Sequence, residues 1–202
     1  MKRRSLLTAA LLALSPRRAR ALAQSADTAA PANDNPVVAI TTSKGRITVE
    51  LWPEDAPGTV ANFLHYVDTG FYDDTIFHRV IEGILIQGGG LTPELNRKIA
   101  GPPIKIESKN GLLNVRGTIA MARGDDKDSA TSEFYINLQD NPEFDATLKG
   151  YGYTVFGRVI DGMQAADRIG KVQTSRRGRH ADIPILPVFV ETIRRSEPEQ
   201  AP

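Results

Sequence analysis

The sequence predicts a mainly β protein, because eight strand-like runs are interrupted by only two helical stretches and the apolar content is enough for one core. Eight mostly non-alternating strands with two helices favour a closed barrel whose ends the helices plug, while the pattern by itself leaves a sandwich open. With 202 residues, 41% of them hydrophobic and 24% charged, the chain fits a single globular domain.

The first strands are Val37 to Thr42 and Arg46 to Trp52, β-rich runs joined by Ser43-Lys44-Gly45, which has the length and composition of a hairpin turn. A helix follows from Pro57 to Val67. Pro57 stands in its first turn, where a missing N–H costs nothing. Val60, Phe63, Leu64 and Val67 recur at i, i+3, i+4 and i+7 and make one apolar stripe that must cover something hydrophobic. Five strands come next: Ile76 to Val80, Ile84 to Gln87, Gly117 to Ala122, Phe134 to Leu138 and Tyr153 to Ile160. The second helix runs from Gly162 to Ile169, with Asp161 as its N-cap and Gly170 as its stop. Val188 to Arg194 is the last strand.

The two ends of the chain differ from this domain. Residues 1–23 combine a basic start, an apolar run from Leu6 to Leu14 and Ala21-Leu22-Ala23 as a small-residue cleavage site, which is the pattern of an export signal. A run of nine residues is too short to span a bilayer, so no stable membrane insertion is expected once the signal is cleaved. Arg3-Arg4, a polar residue and two leucines fit twin-arginine export, and a general secretory signal fits as well; either route ends outside the cytoplasm, in the periplasm or beyond. Residues 24–35 read as a flexible linker, 36–195 as the folded domain and 196–202 as a disordered tail.

Composition excludes several classes of function. The signal segment holds six basic residues and no acid, so its removal leaves 19 basic against 24 acidic residues, a net of −5. A mildly acidic protein lacks the basic footprint of a nucleic-acid binder, and Arg176-Arg177-Gly178-Arg179 reads as a solvated loop. There is no cysteine, which removes disulfides, thiolate nucleophiles and thiolate metal sites together. His65, His78 and His180 lack paired metal-ligand spacing, so neither a metal nor another cofactor is expected. Ser129 and Ser132 sit in no nucleophile-elbow pattern.

The densest signal is FHRVIEGILIQGGG from Phe77 to Gly90, an arginine in a β-rich run that ends in three glycines able to let backbones approach closely. By residue chemistry alone, Arg79 fits a salt-bridged barrel arginine as well as a functional one, and Gln87 fits a residue that satisfies strand ends. This stretch resembles the cyclophilin signature. The likeness continues through DAPGTVANFLHYV (Asp55 to Val67), RGTIAMAR (Arg116 to Arg123), SATSEFYIN (Ser129 to Asn137) and YTVFGRVIDGM (Tyr153 to Met163), five blocks in the family's order. KDSATS at Lys127 to Ser132 and PPIKIESKNGL at Pro102 to Leu112 resemble the periplasmic bacterial branch in particular.

The resemblance implies a closed eight-stranded antiparallel barrel capped by two helices, acting as a monomeric peptidyl-prolyl cis/trans isomerase on unfolded or proline-containing polypeptides. It makes Arg79 the catalytic residue and Gln87 its partner on the substrate backbone. It gives Ile84, Leu85, Tyr135 and Phe144 to the proline pocket, and Ala122 and Arg123 to a strand that pairs with the extended peptide. Glu133 and Tyr153 complete the groove. A proline-peptide-binding chaperone with little turnover is the competing function.

Five positions depart from the family pattern. Ile84 and Tyr135 stand where relatives carry phenylalanines, so the pocket is expected to lose one ring and gain a hydroxyl. Glu133 replaces a glutamine and, being able only to accept hydrogen bonds when ionised, is expected to pair with Arg79 or Arg123. Glu143 falls where many relatives place the tryptophan on which cyclosporin binding leans, which predicts weak sensitivity to that inhibitor. Tyr153 falls where eukaryotic relatives carry a histidine.

Overall fold

The computed structural model describes residues 35–178 and 180–196. The stretches expected as export signal and as linker up to Asp34, together with Arg179 and the residues beyond Ser196, lie outside the described residues. Strands β1 (Val37–Thr42) and β2 (Gly45–Leu51) form the foreseen hairpin, with Thr42 paired to Gly45 across the turn. Helix α1 (Pro57–Asp68) follows, then β3 (Thr75–Ile81), β4 (Leu85–Gly88), β5 (Thr118–Met121), β6 (Phe134–Asn137) and β7 (Val155–Asp161). Helix α2 (Met163–Gly170), the hairpin β8 (Thr174–Arg177) and β9 (His180–Pro184), and β10 (Phe189–Ser196) complete the described residues.

Eight of these strands close a barrel in the order β1-β10-β3-β4-β6-β5-β7-β2, and every neighbouring pair is antiparallel. Closure leaves the barrel no free edge, which settles barrel against sandwich. Both helices bury their apolar faces in its interior. Val60, Phe63, Leu64 and Val67 of α1 and Ala165, Ala166 and Ile169 of α2 join one cluster with Ile40, Ile47, Phe77, Ile86, Phe134 and Phe156. Asp68 of α1 grips Arg195 near the Val38 end of β1, with bonds of 2.7 Å. Arg168 of α2 donates to the Lys44 carbonyl in the β1–β2 turn, so the helices sit over opposite ends of that strand.

Two sequence-based expectations need correction. Asp161 ends β7 rather than capping α2; the N-cap is Gly162, whose left-handed backbone (φ 80°) lets it pass against the Arg46 carbonyl where a side chain would collide. Arg176 and Arg177 lie on β8 rather than in a loop, although both are exposed, because Thr174 to Arg177 has no apolar alternation by which a strand could be read.

The near-continuous apolar runs have a physical reason. Along β4, β5, β6 and β7 alternate residues point inward, as Ile86, Ile119, Phe134 and Phe156 do, while Leu85, Ala120, Tyr135 and Val155 point outward into a second apolar cluster. Trp52, Ile81, Ile84, Leu112, Ala122, Phe144 and Tyr153 cover that outer face. These strands are therefore buried on both sides, and the outer cluster is the floor of the site.

Candidate functional site

The site is built on one rung of the barrel. Arg79 on β3 pairs with Gln87 on β4, Gln87 with Tyr135 on β6, Tyr135 with Ala120 on β5, and Ala120 with Val155 on β7. A bulge makes this possible. In a regular strand Phe77 and Arg79 would share a face, but the register shifts between them, with His78 as the extra residue, so Phe77 enters the interior while Arg79 faces out.

Arg79, Leu85, Gln87, Ala122, Arg123, Tyr135, Phe144 and Tyr153 line one cavity of about 160 Å³ on the outer face. A second cavity of about 330 Å³ continues from it past Gln87, Ala122 and Arg123 and is walled by Arg97, Gly124, Ser129, Thr131 and Glu133. Together they make an open groove with a small end that carries the aromatic side chains and a larger end without them. Of the ten residues singled out in the sequence, eight meet at the small end and Glu133 lies at the other. Ile84 lines neither. Strand β4 begins at Leu85, which takes the outward position, and Ile84 stays in the preceding turn, its N–H bonded to the Ile81 carbonyl at 3.0 Å.

Three rings give the small end its shape. Tyr135, Phe144 and Tyr153 contact each other edge-on with centroids 5.6 to 5.9 Å apart, a geometry that aligns ring edges with ring faces. Tyr153 is the third ring of this set. The Arg123 guanidinium lies 4.9 Å from the Tyr153 centroid and donates to the Gly152 carbonyl at 3.0 Å, which holds it along the rim.

The Tyr135 hydroxyl does not reach the groove. It donates to Asn114 Oδ1 at 2.8 Å, inside a buried network in which Asn137 also bonds Asn114, Thr118 and Asn141. Burial, aided by the neighbouring Tyr153 and Asp145, pushes this phenol far above its ordinary range, so it stays protonated and presents only its ring to a ligand.

Glu133 pairs with neither Arg79 nor Arg123, contrary to the expectation from sequence. The bulge turns His78 toward it, with Nε2 3.3 Å from Oε2, and Arg97 reaches Oε1 from the loop after β4 at 3.1 Å. Gln87 Nε2 donates to Oε2 at 2.9 Å, and Gln87 Oε1 accepts from Arg79 at 3.2 Å. Burial alone would raise the Glu133 carboxyl; the His78 hydrogen bond and charge, the Arg97 charge and the Gln87 amide outweigh it and hold the group below its ordinary value. Gly90 makes room for this carboxylate, since a Cβ there would overlap its side chain.

His78, Arg97 and Asn114 were not read as site residues. His78 adjoins Arg79 in sequence, yet only the bulge puts both to work, and Arg97 and Asn114 sit in a long loop without periodicity. Glu143 is exposed in a 3-10 turn (Pro142–Phe144) and outside both cavities. Among the described residues no group of three His, Asp or Glu side chains is arranged to hold a metal ion, and no helix is long and apolar enough to cross a membrane.

Residues 37–191 match the family model for cyclophilin type peptidyl-prolyl cis-trans isomerases. The chain is 47% identical over 157 residues to peptidyl-prolyl cis-trans isomerase A of Dickeya dadantii, covering 78% of this chain and 83% of that protein. It is 46% identical over 164 residues to isomerase B of Escherichia coli, covering 80% of this chain and all of that one. A Cryptosporidium parvum cyclophilin-type isomerase, crystallised in the presence of the dipeptide Ala-Pro, superposes with a TM-score of 0.70 at 26% identity, covering 80% of this chain and 99% of that chain.

Proposed function

The chain belongs to the cyclophilin family and is a peptidyl-prolyl cis-trans isomerase, and we propose that it acts on exported polypeptides with Arg79 as the group its catalysis depends on. The observation that carries this reading is the placement of the Arg79 guanidinium on the same rung as the apolar floor, beside Leu85, Tyr135, Phe144 and Tyr153 in one cavity of about 160 Å³.

Rotating an X–Pro bond breaks amide resonance across a barrier of about 18–20 kcal/mol. In the twisted transition state the prolyl nitrogen becomes pyramidal and regains a lone pair. A fixed guanidinium N–H bonds that lone pair, whereas the planar ground state offers none, so the interaction is stronger where it lowers the barrier. No nucleophile and no proton transfer is needed. Leu85, Tyr135, Phe144 and Tyr153 would seat the proline ring, which fixes the amide against Arg79. The Ala122 N–H is committed to the Glu133 carbonyl at 2.9 Å, which leaves the carbonyl side of this segment, with Arg123 beside it, to hold an extended peptide. Ile84 supports the floor from behind the turn.

Export is supported by the pattern of residues 1–23, and a chain without cysteine is compatible with an oxidising compartment; one copy of the chain lines the whole groove, which supports a monomer as the working unit. A positioned guanidinium favours turnover over passive holding of clients, because a holdase needs the apolar pocket alone. The test is the cis-to-trans relaxation of an X–Pro peptide followed without a coupling protease, with Arg79→Ala measured beside the wild type. Loss of the placed donor is expected to slow catalysis about 10²–10³-fold. Because arginine keeps its proton near neutrality, the wild-type rate should stay flat between about pH 6 and 8. A folded Arg79→Ala variant with the wild-type rate, or a bell-shaped profile, would overturn the mechanism.

A further inference from the structure

From the chain of contacts behind the groove, we propose that Glu133 is a positioning residue: it locks the side-chain amide of Gln87 in the one orientation that presents its carbonyl oxygen to Arg79. The proposal deepens the isomerase reading and rests on Arg79 being the catalytic group. An ionised carboxylate has no proton to give, so Gln87 can meet Glu133 only through its NH₂. The amide is planar, and once its nitrogen faces Glu133 at 2.9 Å its oxygen is turned to Arg79 at 3.2 Å. A glutamine at position 133 would accept either orientation of Gln87, including the one that opposes an N–H to the guanidinium.

Three further observations show that the carboxylate is itself fixed. His78 Nε2 and Arg97 hold its two oxygens at 3.3 and 3.1 Å. The Glu133 side chain is only 14% exposed, so water competes little for it. Gly90 leaves the space it fills. With Glu133 an acceptor, the proton between it and His78 sits on Nε2, and the ring becomes a second donor on the same oxygen that Gln87 uses. Arg79 is exposed and, among the described residues, has Gln87 as its single side-chain partner, so the ordering of the guanidinium depends on this line of contacts.

The test is a cycle of Glu133→Gln, Gln87→Ala and the double variant, assayed with wild type and Arg79→Ala on the same X–Pro peptide. Loss of one orienting hydrogen bond is expected to lower kcat about fivefold in Glu133→Gln with KM nearly unchanged. The double variant should be no slower than Gln87→Ala alone, because Glu133 acts through Gln87. Equal kcat in Glu133→Gln and wild type, or the same loss in both backgrounds, overturns the proposal while leaving Arg79 in place. A fully active Arg79→Ala overturns both. If Glu133→Gln does not fold, the Gln87 side-chain NH₂ resonances of the wild type decide the matter. Slow solvent exchange supports the lock, and exchange at the rate of a free glutamine overturns it.

Discussion

Glu107 caps a distant helix through Thr59, 48 residues earlier in the chain: its carboxylate accepts the Thr59 N–H at 2.8 Å and the Thr59 hydroxyl at 2.7 Å. A third bond comes from the Gly58 N–H at 2.9 Å. The N-cap residue of α1 is Ala56, which offers no side-chain acceptor, so a distant acid fills that role and places negative charge at the positive end of the helix dipole. Thr59 is buried and would lose its partners. Glu107→Ala should therefore cost about 1–3 kcal/mol of stability in denaturant titration, with no change in the kcat of the folded enzyme. A stability equal to wild type would show that water replaces the cap.

Tyr135 gained a hydroxyl relative to the family pattern, and the structure spends it on Asn114 rather than on the groove. Tyr135→Phe keeps the ring and leaves Asn114 Oδ1 with the Asn137 amide at 3.3 Å. Stability should fall by about 1 kcal/mol while the isomerase rate stays close to wild type. A large loss of rate with intact folding would mean that the hydroxyl turns toward substrate.

Glu143, which the family resemblance aligns with a tryptophan that supports cyclosporin binding, is exposed and outside both cavities. Sensitivity to that inhibitor should be weak in an isomerase inhibition assay, and Glu143→Trp should raise it. Inhibition of the wild type in the nanomolar range would show that Tyr153, Phe144 and Arg123 supply the missing contact.

What could be read in advance follows the range of the interactions involved. The α1 stripe was legible because Val60, Phe63, Leu64 and Val67 repeat at the helical period, and all four are buried. The barrel strands were legible as apolar runs, but the reason for their continuity, a second cluster outside the barrel, needs tertiary structure. Strand β8 left no trace because its four residues are all polar. At the site, Arg79 stood out only through the resemblance, and the partners of Glu133 were misjudged because charge alone nominated Arg79 and Arg123. The bulge at His78 and the loop carrying Arg97 decided the pairing, and neither has a local signature.

The Glu133 contacts also set a pH dependence of stability. The folded protein holds this carboxyl below its usual value of 4.5, whereas the unfolded chain takes a proton near that value. In the interval between the two, the unfolded state binds more protons, so acid favours unfolding there. The contribution is complete above the unfolded value and is lost as pH falls through the folded one. Glu50, Asp68 and Asp73 are held low by their own partners and act in the same direction. The wild type should therefore lose Tm steadily below about pH 4.5 in thermal melts. Glu133→Gln lacks one of these groups and leaves His78 and Arg97 without their carboxylate. Its Tm should lie furthest below wild type at neutral pH, and the gap should narrow as the pH falls. A gap that widens in acid would mean that Glu133 is protonated more readily in the folded protein than in the unfolded one, and that burial outweighs its three donors.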